Sequence, residues 1–176
     1  MRFTLHCHRW LTILPLAWAC AALAQAPAAE KPAAAPVVPG QGPGYHDPRS
    51  AFKPLQEVDG VVSWSVLSAV TLRKENKALL PVFSKDVQAL NNQMVKVQGF
   101  MMPLEPGERQ KHFLLSAVPT SCNFCVPAGP EGLIEVRSKV AVKYTLEPVV
   151  VQGRMAVLHN DPYGLYYRVA DANPAN

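Results

Sequence analysis

From residue 94 onward apolar side chains recur at every second position, and this alternation constrains the fold more than any other feature of the chain. In "MVKVQGFMMPLE", Val95 and Val97 alternate with Lys96 and Gln98. In "PVVVQGRMAVL", Val149, Val151, Met155 and Val157 are set against Gln152 and Arg154. Period-two patterning puts one face of a strand in a core and the other in water. "KHFLLSAV", "GLIEVRSKVAVKYTL" and "LYYRVA" supply further strands, the middle one long and bent or divided in two. Gly99 falls inside the first strand and marks a bulge or sharp bend, because glycine otherwise weakens a strand interior. "PLEPGERQ" and "NDPYG" read as turns. Five or six short, mostly antiparallel strands imply a mainly β (α+β) fold, a small OB-like Greek-key barrel or rolled sheet. The helix that usually joins the third and fourth strands of such a barrel is not evident.

One or two short helices precede the strands. Val61, Trp64, Leu67 and Val70 share a three-residue spacing that fits one helical face, with Trp64 and Leu67 as its anchors. Ser84 is a natural N-cap for a helix over Lys85–Leu90, Asp86 suits its first turn, and Asn91-Asn92 ends it. The core is expected to gather Trp64, Val95, Val97, Phe100, Val151 and Tyr167.

The N-terminal residues address the compartment. Arg2 and Arg9 precede an uncharged run from Leu11 to Ala24, which ends in Ala22-Leu23-Ala24. A basic start, a short apolar stretch and an A-x-A site make 1–24 a secretory signal with cleavage after Ala24. The run is shorter than the roughly 20 apolar residues that span a bilayer. A lipoprotein reading would use Cys20, but Trp18 is bulky and Leu16 stands one place too early. Residues 25–49 follow as an Ala/Pro-rich disordered tether, with six prolines between Gln25 and Pro48. One β-rich domain over 50–171 and a frayed tail over 172–176 complete the organisation, and the protein is expected in the periplasm. Removing the signal leaves 15 basic against 13 acidic residues, a net charge of +2 scattered singly. That balance gives no support to nucleic-acid binding. No transmembrane segment is expected in the mature chain.

The chemistry centres on "PTSCNFCVPAGPEG". Once the signal with Cys7 and Cys20 is gone, Cys122 and Cys125 are the only cysteines. Pro127, Gly129, Pro130 and Gly132 forbid the helix that a thioredoxin-type pair needs. Val126 stands where a c-type haem site needs histidine. Three readings stay open: half of a zinc or copper site, a local disulfide bracing the loop, and a redox-active dithiol. A metal site would recruit His112 and His159 beside the two cysteines, as a tetrahedral Cys2His2 set. Each histidine is alternatively a surface or hydrogen-bonded residue. Met101 and Met102 could offer thioethers to Cu(I) but read better as core. Glu105 and Glu108 flank a proline turn and read as a solvated loop. No nucleophile triad, phosphate loop or H-E-x-x-H motif is present.

"WSVL" at 64–67, "PVF" at 81–83, "VKVQGFMMPLE" at 95–105, "FLLS" at 113–116 and "CNFCVPAGPE" at 122–131 occur in order. Together they resemble a bacterial family of exported proteins of unknown function, with a G-(Y/F)-M-x-P-L-E core and, in one branch, a Cys-rich turn before G-P-E. The resemblance spans about 110 residues. It implies an exported domain, sometimes encoded beside metal-uptake or membrane-transport components, so an envelope protein or transport component is the implied partner. Other members carry a Cys-x-His turn where this chain has Cys122-Asn123-Phe124-Cys125, which is compatible with a metal-binding turn. The resemblance implies no enzymology. It leaves an accessory or binding protein as the main reading, with a thiol-redox protein and a small-ligand- or peptide-binding barrel as alternatives.

Overall fold

A computed structural model describes residues 44–75 and 78–175; the expected signal and most of the expected tether lie outside the described residues. Two short helices, α1 (Trp64–Leu67) and α2 (Lys85–Ala89), flank a hairpin of β1 (Val70–Glu75) and β2 (Ala78–Phe83). Five strands follow: β3 (Met94–Pro103), β4 (Arg109–Ser116), β5 (Leu133–Lys143), β6 (Val149–Val157) and β7 (Tyr167–Pro174). They close into a barrel in the order β3-β4-β5-β7-β6. All neighbours are antiparallel except β5 and β7, which run parallel. This is the OB-like Greek-key barrel anticipated from the alternation.

Closure turns on two glycines. β3 pairs with β6 through Met94–Gly99 and with β4 through Phe100–Pro103, so Gly99 is where the strand leaves one neighbour for the other. A Cβ there would lie 2.9 Å from the Ser116 carbonyl oxygen and 3.0 Å from the Leu115 Cβ. Gly153 marks an irregularity in β6, where the register with β7 shifts between Gln152 and Arg154. A Cβ at 153 would meet Val169 Cγ1 at 2.6 Å and the Ala170 carbonyl oxygen at 2.7 Å.

The barrel interior is filled from its own strands and from the N-terminal elements. Val95, Val97, Phe113, Leu115, Ile134, Val136, Val151, Met155, Tyr167 and Val169 are buried, as strict alternation requires. Only residues 144–148 separate β5 from β6, so no helix plugs the barrel at that junction. Leu67 of α1, Phe83 at the end of β2 and Val87 of α2 join the core instead. The Tyr167 hydroxyl donates to the Leu67 carbonyl at 2.5 Å, and burial pushes its phenol well above the ordinary range. Ser84 caps α2 by accepting from the Val87 amide. The chain leaving α2 is anchored by Asn92 N–H to the Met155 carbonyl (2.8 Å) and by Met155 N–H to the Gln93 carbonyl (2.9 Å).

Several expectations need correction. The helical face drawn through Val70 ends at Leu67, because Val70 opens the β1–β2 hairpin, which the spacing did not reveal. Trp64 packs against the core but is only half-buried, its indole N–H donating to the Gln98 carbonyl at 3.0 Å. Phe100 is buried but packs outside the main core cluster, edge-on to Phe52 at 6.4 Å. Residues 172–174 are not a frayed tail. Gln152 pairs with Asn173 and Val151 with Pro174, and Ala172 is fully buried, because β7 must run that far to join β5 to β6. The end of the tether is ordered as well: Gly44 N–H donates to the Val126 carbonyl (3.1 Å) and Val126 N–H to the Tyr45 carbonyl (3.0 Å).

Gly153→Ala forces a methyl between Val169 and the β7 backbone, an overpacking that typically costs about 1–3 kcal/mol. The expected outcome is a lower urea midpoint at unchanged slope. An unaltered midpoint would show that β6 and β7 have room to separate.

Candidate functional site

The loop joining β4 to β5 carries both cysteines. Its mouth is fixed by backbone bonds from Ala117 N–H to the Gly132 carbonyl (3.1 Å) and from Gly132 N–H to the Gly129 carbonyl (2.9 Å). Gly132 is required there, since a Cβ would fall 2.2 Å from that of Ala128. Ser116 stabilises the exit of β4, its hydroxyl donating to the Val118 carbonyl at 2.7 Å. The strap at 44–49 presses on the loop from outside. Asp47 is buried and paired with Arg49 at 2.8 Å, and Arg49 lies 4.7 Å from the centre of the Phe124 ring. Hydrogen bonds from the Arg49 side chain and backbone hold the Asp47 carboxyl down to about 2.

Cys122 and Cys125 form a disulfide, with Cα atoms 5.4 Å apart. Closing a ring this short restricts the unfolded chain by only about 2 kcal/mol, against about 4.7 kcal/mol for a 100-residue loop. The bridge forms part of the wall of a cavity of about 240 Å³, together with Met102, Val118, Pro119 and Leu133. Apart from Ser116 and Thr120 its lining side chains are apolar or sulfur-bearing.

The four residues expected to share a metal do not gather. Both sulfurs are consumed in the bridge. His112 is on the outer face of β4, with Nε2 2.8 Å from Glu135 Oε1. His159 follows β6 and stands edge-on to Phe83 at 5.1 Å, beside a cavity of only about 70 Å³. Among the described residues no group of three or more histidine, cysteine or acidic side chains is placed to hold a metal ion. With both cysteines bridged, the four residues do not form a ligand set in this arrangement. The two methionines separate by strand alternation, Met101 into the barrel core and Met102 into the cavity wall. Glu105 is exposed, 4.0 Å from His112 Nδ1.

His112 instead belongs to a polar cluster that the sequence did not disclose. Glu135 of β5 is only 5% exposed although it lies between two inward-facing residues, Ile134 and Val136. Cross-strand register sets Leu114 and Arg168 beside it and Arg137 opposite His112. Its carboxylate accepts from His112, from Arg137 Nε at 3.0 Å and from Arg168 Nε at 2.5 Å. Arg168 also reaches Asp161 at 3.2 Å. The cluster ties β4, β5 and β7 together on the outside of the barrel. Its members are 23 and 33 residues apart, and no local pattern links them.

Burial alone would raise the Glu135 pKa, but the hydrogen bonds from Arg168, His112 and Arg137 outweigh it and hold the carboxyl below the ordinary 4.5. A group depressed in the folded state stabilises above its unfolded pKa, and that stability is lost as pH falls through the folded value. Wild type should therefore lose stability below about pH 4.5. Glu135→Gln should be less stable at neutral pH, with a flatter acid limb in denaturant melts recorded across pH. Parallel pH curves would remove Glu135 from the acid response.

The profile of a family described as "Protein of unknown function (DUF3299)" matches residues 46–164. The crystal structure of a DUF3299 family protein from Pseudomonas aeruginosa PAO1 is 22% identical, with a TM-score of 0.43 over 55% of this chain and 68% of that one. Comparison with curated proteins gave no match. The family match takes in the helices, the hairpin, β3 to β6 and the whole disulfide loop, and the chain belongs to the DUF3299 family.

Proposed function

We propose that this protein is an exported accessory module of the cell envelope that binds an apolar ligand, or an apolar side chain of a partner polypeptide, in the cavity beside Cys122–Cys125. The observation that carries the reading is the cavity itself. A volume of about 240 Å³ is well above the ~150 Å³ that suffices to hold benzene, and it falls short of common drug-sized sites at ~300–1,000 Å³. The cavity suits an aromatic ring system or a large side chain, not a nucleotide. It sits at the loop between the second and third barrel strands, and the face of those strands is a recurrent ligand surface in OB-like barrels. That last support is analogy of fold. Export rests on the Arg2/Arg9 start and the Leu11–Ala24 run. A disulfide as the resting form of the pair accords with an oxidising compartment. The natural partner class is an envelope protein or transport component that presents an apolar segment.

Titration with N-phenyl-1-naphthylamine, a neutral aromatic fluorophore, tests the reading. Saturable one-site enhancement is expected, weakened about tenfold or more by Thr120→Trp, which places a large ring in the cavity from an exposed position. The denaturant midpoint of the variant should stay within about 0.5 kcal/mol of wild type. Absence of saturable binding, or binding indifferent to the tryptophan, would overturn the proposal.

A further inference from the structure

The disulfide wall gives the cavity a chemistry beyond binding. We propose that Cys122–Cys125 is an exchangeable bridge that accepts two electrons from a dithiol polypeptide whose apolar residue occupies the cavity. The inference rests on the reading of that cavity as a binding site.

Three observations carry it. Both cysteines are half-buried and line the cavity, so an occupant there lies beside the bridge. The loop has holds other than the bridge: its mouth is held by the Ala117–Gly132 and Gly129–Gly132 backbone bonds, and its flank by the two bonds between residues 44–45 and Val126. The bridge also closes a minimal ring, which adds little to the fold. A disulfide that is accessible, weakly coupled to folding and set beside an apolar recess is suited to exchange.

The reaction proceeds in two displacements. A partner thiolate attacks one of the two sulfurs; the Cys122–Cys125 bond breaks as the intermolecular bond forms, and the displaced sulfur leaves as a thiolate and takes a proton. The partner's second thiolate then attacks its own sulfur in the mixed disulfide. The second cysteine departs as a thiolate and is protonated. The partner gains a disulfide and the protein holds two thiols. No helix begins at Cys125, so no helix dipole stabilises the thiolates, and the pair is a mild oxidant.

The test uses the full chain, with the peptide bearing Cys122 and Cys125 read by mass after alkylation. In glutathione buffers of graded ratio the pair is expected to pass from bridged to doubly alkylated while circular dichroism stays native. A dithiol peptide with leucine beside its cysteines should reduce the bridge about tenfold faster than the same peptide with serine there. Thr120→Trp should abolish that preference. A bridge that stays closed in millimolar reduced glutathione overturns exchange and leaves cavity binding intact. Normal glutathione exchange with equal rates for the two peptides overturns docking through the cavity, and with it the proposal.

Discussion

Backbone contact at Gly99 and Gly153 allows five strands to close. At Gly99 β3 leaves its pairing with β6 and joins β4, passing within side-chain distance of Ser116. At Gly153 the register of β6 against β7 shifts, and the β7 backbone fills the space a Cβ would need. The close approach at Gly153 lets β7 lie against β6 while it pairs in parallel with β5. The position of the disulfide loop follows, because it springs from Ser116 at the end of β4 and returns at Leu133 on β5. Barrel closure therefore fixes where the cavity lies.

The two sides of the barrel wall are held by different forces. Inside, apolar packing dominates, and Leu67, Phe83 and Val87 supply the plug that a helix after the third strand would otherwise provide. Outside, Glu135 gathers His112, Arg137 and Arg168 from three strands. Removing one member would leave a buried charge partly unmatched, a larger penalty than the loss of an exposed ion pair. The same cluster explains why His112 is committed to its neighbours and is not turned toward the cysteines.

What was legible in the sequence follows from the range of each physical signal. Alternation at Val95/Val97 and Val149–Val157 is local and marks strands with one buried face, and those strands stand where expected. Ser84 was legible as a cap because its bond is made three residues away. The β1–β2 hairpin was hidden because its apolar residues do not alternate into a core: Leu72 is 58% exposed and Leu79 65%. The end of the last strand was hidden by its composition, Asp171-Ala172-Asn173-Pro174, which pairs with β5 and β6 in the barrel. The candidate site was half legible. Cys122 and Cys125 were evident, and the disulfide was one of three open readings. The cavity needed Met102 and Leu133 from strands on either side, and the Glu135 cluster needed a register that local spacing does not encode.

Among the described residues, the apolar recess beside the disulfide contrasts with exposed apolar side chains on the β1–β2 hairpin. Concavity favours the first, because an occupant there loses water on most sides, whereas a flat face recovers little contact. Methyl-resolved NMR during addition of N-phenyl-1-naphthylamine decides between them. Saturating shifts at Met102, Val118, Ala128 and Leu133 are the result this account requires. Shifts confined to Leu72 and Leu79, with the cavity methyls unmoved, would contradict it.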